Sequence, residues 1–590
     1  MKIIHKTHIY FLLALISAFA LCRLLGVLGA YAANYYILYS VFGICGLFNV
    51  ADISLKPDEY AEFKKPLYFC AVLLSLTNIT GLFLSSELPF SEQTLFTFTI
   101  YLFSVAAFTP FSLYAMLFMF GLMKKLSGFG LFSVEFTPNP LILWIISFFS
   151  IIFCWNIIRL AYFPGLWNYD IYQIQQYQYN VYNKFHPLLH TLLLGFCHSL
   201  GDSAENSNFG VTIYYCVQMS VMASIFAYLC VFVVQRTKRL AAAVFSLCFF
   251  ALFPVNQILA ISSTKDSLFT AFVTLFILLL INLQGGLRLH VATLFVLDSV
   301  LLLSFRNNAI YVYIILLFAA FILVMRHEFK AFIPLLMISA ILLFFATDYF
   351  VTKKLNADPT SIHEMLSVPS QQMGRIHEYA TDDALSLSQI EEFYSYPEAS
   401  YKRYISDSMK NCFIGVETTS ELPKYISLYF RLWGRHPLYS LDSFLYLTKG
   451  AWYVADTSVA AIYGEGYNES YYGYMSTEIA YGYNVEHESK IPILEKIYEH
   501  LFSNNEYQKL PLAAILFSPA LYIWILLFSS IVFFKTNNPA HKLAAIFMWA
   551  LYLTILAGPC ILVRYMYPFM AIMPLLLCLA LSDTASKEKV

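Results

Sequence analysis

The chain has 590 residues, of which 59% are hydrophobic, 18% aromatic and only 12% charged, whereas an average soluble domain carries about 25% charged residues. With a mean hydropathy of +0.64, this composition excludes an ordinary soluble globular protein and points to a polytopic membrane protein. The net charge of −1 offers no electrostatic footprint for a nucleic acid and no strongly charged surface.

Runs of about 20 apolar residues are long enough to cross a bilayer as helices. In chain order they fall near 8–29, 33–50, 67–86, 94–122, 141–162, 210–234, 239–254, 266–284, 289–304, 308–325, 331–350, 511–534, 542–560 and 564–582. The expectation is an all-α polytopic membrane protein with about fourteen transmembrane helices. The basic, apolar N-terminus imitates a signal peptide, but more apolar runs follow at once and no small-residue cleavage site stands out. The first run is therefore expected to remain as a helix. An apolar stretch at 187–200 is short for a crossing and suits a re-entrant or interfacial segment.

The first four runs, about 1–125, carry no comparable polar motif and read as an accessory N-terminal bundle. A transmembrane core follows over 140–350, with a first outer loop at 163–209. Residues 351–510 are polar and rich in Tyr, Ser and Glu, and read as a mainly helical extracytoplasmic domain with some helices lying on the membrane surface; 511–582 returns to the membrane. Lys and Arg fall in alternate loops: Lys2 and Lys6, Lys56 to Lys65, Lys124 and Lys125, Arg236 to Arg239, Arg326 and Lys330, Lys535 and Lys542, Lys587 and Lys589. The positive-inside rule makes those loops cytoplasmic. An even number of spans then puts both termini inside and leaves 163–209, 255–265, 305–307, 351–510 and 561–564 outside. The eleven cysteines lack CxxC or Cys/His spacing and read as small core residues, not as a zinc site or disulfide scaffold.

Five polar clusters all fall in or beside the outer segments. Charged groups near lipid are costly and tend to mark function, so their shared side suggests one site. Asp170 follows the turn signal Pro164-Gly165 in a stretch dense in Gln, Tyr and Asn. Its carboxylate suits a general base toward a hydroxyl or a ligand of a divalent cation; a helix-starting Asp is the plainer alternative. His186 and His190 share one face of a helix and suit phosphate contact, proton transfer or a metal pair, or simply an interfacial polar role. Lys265 and Asp266 open an apolar run, where cation and helix N-terminus favour an anion and where Thr264 or Ser263 is also an ordinary cap. Arg306, Asn307 and Asn308 form a short outer turn whose guanidinium matches phosphate or carboxylate; an interfacial anchor with the two Asn as turn formers is the plainer alternative. Arg564 and Tyr565 start the last run, with the tyrosine also fitting an aromatic belt.

Taken together, Pro164-Gly165 with Asp170, His186-Pro187 with His190-Thr191, Lys265-Asp266, Arg306-Asn307-Asn308, Arg564-Tyr565-Met566-Tyr567-Pro568 and the segment 367–375 resemble the motifs of the multi-spanning GT-C glycosyltransferases. More closely, they resemble a poorly characterised bacterial family of GT-C-like membrane proteins. The likeness runs from about 140 to 580. It implies transfer of a sugar from a polyprenyl-phosphate donor to a cell-envelope glycan or lipid acceptor, outside the cytoplasm at a bacterial plasma membrane. By that match Asp170 is the catalytic base or a ligand of Mg or Mn; the chain has a single acid there where many GT-C enzymes have DD or DxD. Electrostatics assigns Lys265, Arg306 and Arg564 to the lipid phosphate, with His186, His190, Asp266, Asn307, Asn308 and Tyr565 completing a substrate site. The rival expectations are a transporter or flippase of a lipid-linked or anionic solute and a non-catalytic envelope-assembly protein. Polar groups at one surface, rather than at the midplane of repeated spans, favour the enzyme.

Overall fold

The computed structural model describes residues 64–126, 134–167, 173–415, 421–456, 485–502, 510–535 and 538–587. The apolar runs at 8–29 and 33–50 lie outside these residues. Each later run is helical, and the described residues contain no β-strand, only isolated bridges such as Leu166 with Ser262. The chain is a helical membrane protein by composition and structure alike. Seven described helices are long and apolar enough to cross a bilayer, and eight if one bent pair counts as a span. Fourteen is not confirmed: two of the runs lie outside the described residues, and among the others several helices have fewer than 18 residues or are interrupted by proline. Pro254 opens a second helix, so the 239–254 run becomes Leu240–Leu252 followed by Pro254–Ala260 at 50°. Pro519 likewise divides 511–534 into Pro511–Leu516 and Pro519–Lys535. A proline inside a helix lacks the N–H and clashes with the preceding turn, so helices begin at it instead. The stretch 187–200 is the 16-residue helix Leu188–Ser203.

Lys265–Gln284 is the hub. It is apolar on every side, which suits a helix surrounded by others, and 89% of its apolar window is buried. Leu289–Phe305, Ser207–Thr237, Val563–Ala571 and Pro539–Leu556 pack around it. Phe276 at its middle meets Phe295, Tyr313 and Phe547 at ring distances of 5.1, 5.5 and 5.1 Å. By contrast Phe332–Leu355 buries only 11% of its window, leaving an apolar periphery of the kind that lipid covers.

Leu188–Ser203 and Ser207–Thr237 approach backbone to backbone at Gly201 and Gly210. A Cβ on Gly210 would stand 2.6 Å from the Cys197 carbonyl oxygen and 2.8 Å from that of His198. Backbone cannot swing aside, so Gly210→Ala must push apart the helix that carries His190. A cost of roughly 1–3 kcal/mol is expected for such overpacking, read as a lower midpoint of thermal unfolding in detergent.

Connections sort into two ends. At one, the Phe136 N–H donates to the Lys238 carbonyl (3.0 Å), Gln284 donates to the Glu328 carbonyl (3.2 Å) and Lys542 pairs with Glu328 (3.4 Å). At the other, the N–H of Leu166 donates to Ile261 (2.8 Å), that of Asp358 to Tyr182 (2.9 Å), that of Glu488 to Phe163 (3.0 Å) and that of Ser406 to Pro559 (2.8 Å). The turn before Leu95 belongs to this second end: Asp442, fully buried, accepts the N–H groups of Phe90 and Ser91 at 2.8 Å each.

The described part of 351–510 has its own apolar core, including Met373, Ile390, Tyr394 and Leu428. Arg375, from the 367–375 segment, is fully buried over the rings of Tyr379 (4.5 Å) and Tyr446 (5.2 Å) and lies 3.8 Å from Asp442. That arginine ties the segment to the 90–91 turn. Asp383 caps the helix Ala384–Glu391. The Ser386 hydroxyl, then His436 and Arg435, hold its carboxyl down at about 2 against the opposing pull of burial. A depressed carboxyl contributes stability above its unfolded value, and that contribution disappears as pH falls from about 4 toward the folded value. Asp383→Asn is therefore expected to lower thermal stability at neutral pH and to flatten its loss on acidification, as measured by melting curves across that window.

Candidate lipid-edge anion site

Thr264 caps the Lys265–Gln284 helix: its hydroxyl oxygen accepts the Asp266 N–H at 3.3 Å. The first turn, at the positive end of the macrodipole, favours a carboxylate there. Asp266 is 1% exposed, and its Oδ1 accepts Arg306 Nη1 at 2.5 Å while Arg564 Nε lies 3.9 Å from Oδ2. Three helices thus meet at one carboxylate: the start of Lys265–Gln284, the end of Leu289–Phe305 and the start of Val563–Ala571.

Both guanidinia lie over the Tyr565 ring, Arg306 5.0 Å and Arg564 5.1 Å from its centre. Phe269, one turn below Lys265, also faces Arg306 at 5.4 Å. Arg306 further donates through Nε to Asn308 Oδ1 (3.0 Å), and the Asn308 amide donates to Thr554 Oγ1 (3.0 Å). Asn307 is exposed and donates to the Lys184 carbonyl at 3.0 Å. Lys184 in turn pairs with Asp348 at 2.7 Å. These bonds fix where the guanidinia stand.

Lys265 turns away from Asp266 and reaches His186 Nδ1 at 2.8 Å. A charged lysine has only donors, so neutral His186 carries its proton on Nε2. His190 is fully buried and its Nε2 lies 2.9 Å from the Tyr214 hydroxyl. Here the direction can be worked out. The Gln218 amide donates to the carbonyls of Ala260 (2.9 Å) and Ser262 (2.8 Å), so its oxygen accepts from Tyr214 (2.9 Å). Tyr214 then accepts from His190 Nε2–H, which leaves Nδ1 of neutral His190 as the lone-pair nitrogen. Gly165 belongs to this end because the buried Tyr215 ring lies where its side chain would be, 2.1 Å from a Cβ built there. The Tyr215 hydroxyl donates to the Leu166 carbonyl at 2.7 Å.

Asp170 lies outside the described residues. On one side of its stretch Leu166 is held to Ile261 (2.8 Å) and Ser263 (3.1 Å); on the other Gln173 accepts from Thr191 at 3.3 Å. Both flanks are thus tied beside Lys265 and His190.

Among the sequence-derived candidates, the structure brings His186, Lys265, Asp266, Arg306, Asn308, Arg564 and Tyr565 together, with His190 joined through Tyr214, Gln218 and the 260–262 turn. Asp266 differs in kind from its neighbours, since its oxygens accept from guanidinia and repel an anion. It positions Arg306 and Arg564. Asn307 is engaged with backbone. Tyr214, Gln218, Phe269 and Thr554 were not anticipated; Tyr214 and Gln218, four apart in an apolar run, carried a readable signal for a polar pair on one helix face. The described residues do not supply a donor set for Mg or Mn: they contain no group of three His, Cys, Asp or Glu placed to hold a metal, and Asp266 is engaged by arginine. Lys265, Arg306 and Tyr565 are partly exposed, the Arg306 side chain by 12%. Three cations and an aromatic ring at the ends of the central helices can hold an anionic group at a membrane boundary.

Comparison with curated proteins gave no match, and comparison with solved structures gave none. A family profile, described as a family of unknown function (DUF6020), matches residues 152–589. It begins inside the Pro140–Ala161 helix, includes every polar cluster and leaves out the Lys64–Leu126 hairpin. With most of its length matched, the chain belongs to the family of unknown function DUF6020.

Proposed function

We propose that this protein is a membrane glycosyltransferase that moves a sugar from a polyprenyl-phosphate donor to a cell-envelope acceptor on the extracytoplasmic side. The observation that carries the reading is the convergence of Lys265, Arg306 and Arg564 at the end of the buried central helix. A lipid-phosphate donor keeps its tail in the bilayer and its phosphate at the boundary, where these cations stand. In the reaction the acceptor hydroxyl oxygen bonds to the anomeric carbon, the bond from that carbon to the phosphate oxygen breaks, and the hydroxyl proton passes to Asp170. Polyprenyl phosphate leaves with the extra negative charge, which Arg306 and Arg564 stabilise; preorganised donors of this kind are worth about 10²–10³ in rate. The separation of connections into two ends, with basic loops at one of them, supports an outward-facing site with both termini cytoplasmic.

A second reading, a transporter of a lipid-linked or anionic solute, is favoured by the 50° break between Leu240–Leu252 and Pro254–Ala260, since broken spans are common in transporters. One experiment separates the two. Purified protein in proteoliposomes is given a radiolabelled polyprenyl-phosphate sugar and an envelope-glycan acceptor, with and without EDTA. Acceptor labelling with release of polyprenyl phosphate is expected. Movement of the lipid across the bilayer with its sugar intact overturns the transferase and leaves the transporter.

A further inference from the structure

We infer that the helix Leu422–Arg435 rests on the outer leaflet and buries its second apolar stripe in lipid. One stripe of this helix is accounted for: Tyr425, Leu428 and Leu432 are 1%, 3% and 1% exposed in the core of the outer segment. The other is not covered by the described residues. Ile426, Phe430 and Trp433, spaced four and three apart and hence aligned along the helix, are 43%, 66% and 47% exposed. Lys424, Arg431 and Arg435 are exposed on the far arc, roughly 150° around the helix from that stripe.

A helix with apolar residues on two sides is ill-suited to water on its second side. A stripe of Ile, Phe and Trp whose helix turns its charged residues to the far side matches a bilayer surface, with Phe and Trp among the upper acyl carbons. Arg431 donates to Gln389 (3.3 Å) and Arg435 pairs with Asp383 (2.7 Å), so these two are held toward the rest of the segment and away from the stripe.

Position supports the same partner. The next helix, Pro437–Thr448, carries Asp442, which is bonded to the 90–91 turn at the end of the Lys64–Ser85 helix. Beyond it the Ala451 carbonyl accepts from the Tyr552 hydroxyl (3.2 Å) and that of Trp452 from the Trp524 indole (3.3 Å). The Tyr453 ring packs against Gly81, inside a helix apolar and long enough to cross the bilayer. This part of the outer segment is therefore drawn down onto the span ends, at the level of the lipid surface. The inference needs only that the bundle spans a membrane and does not depend on sugar transfer.

The test uses full-length protein on a cysteine-free background, reconstituted in vesicles of phosphatidylcholine and phosphatidylglycerol. Nitroxide labels are placed separately at Ile426→Cys and Phe430→Cys, with Glu392→Cys as the exposed polar control. Collision with oxygen, which enriches in lipid, is compared with collision with a polar nickel chelate. Oxygen collisions are expected to exceed nickel collisions several-fold at Ile426→Cys and Phe430→Cys, with the ratio inverted at Glu392→Cys. Frequent nickel collisions at both stripe positions would mean water and overturn the inference. Low accessibility to both probes would mean protein contact, as in a dimer of this chain, and would overturn it equally. Two stripe positions guard against one variant failing to fold.

Discussion

Arg306→Ala is expected to lower sugar transfer by about 10²–10³ and to destabilise the protein by roughly 3–5 kcal/mol. Both effects have one origin. Asp266 is 1% exposed and its shortest charged contact is Arg306 at 2.5 Å, so removing the guanidinium leaves a buried carboxylate with Arg564 at 3.9 Å as its remaining arginine. The same guanidinium is the one that faces both Tyr565 and Phe269. Arg306→Lys keeps a charge but loses the flat fork that bonds Asp266 and Asn308 at once and faces two rings; an intermediate loss is expected. Combining Arg306→Ala with Asp266→Asn should restore part of the stability, because the stranded charge is gone, without restoring transfer. Thermal unfolding and initial rates on the same preparations check this. Equal stability of Arg306→Ala and wild type would mean that the buried pair is not formed.

Asp170→Asn is expected to reduce the turnover rate by about 10²–10⁴, the range of general acid–base catalysis, while leaving the affinity for the polyprenyl-phosphate sugar unchanged. The variant keeps size and hydrogen bonding but cannot take the acceptor's proton. The contrast with Arg306 is diagnostic: in the proposed reaction the arginine acts on the donor phosphate and should alter donor binding as well as turnover, whereas the aspartate acts on the acceptor. Steady-state rates against donor concentration separate the two. Unchanged turnover in Asp170→Asn would remove this residue from the chemistry.

The physics that made the helices legible is the cost of a polar backbone in lipid, which demands long apolar runs. That cost also made the clusters conspicuous, since Lys265, Arg306 and Arg564 stand at run ends where a charge is tolerable only with a partner. The arrangement within the cluster was less legible. Lys265 and Asp266 are neighbours in sequence, but one residue in a helix is a turn of about 100°, so they face different partners, His186 for one and the arginines for the other. Arg375 and Asp442 lie in separate helices of the outer segment, and no local pattern announces such a pairing. Where proline interrupts a run, composition alone overstates the length of a helix, as at Pro254 and Pro519. Tyr214 and Gln218 were readable in principle, as two polar residues one turn apart in an otherwise apolar helix.

The central claim is that the polar clusters share a single outer face, and impermeant thiol labelling tests it most directly. Single cysteines replace Asp170, Asn307, Glu392 and His327 in a cysteine-free background, and intact cells are compared with opened ones. The first three are expected to react in intact cells, while His327, beside Glu328 at the opposite end, reacts only once the cells are opened. Labelling of Asp170→Cys or Asn307→Cys solely from the cytoplasm would contradict the shared face and, with it, the assembly of these residues into one site.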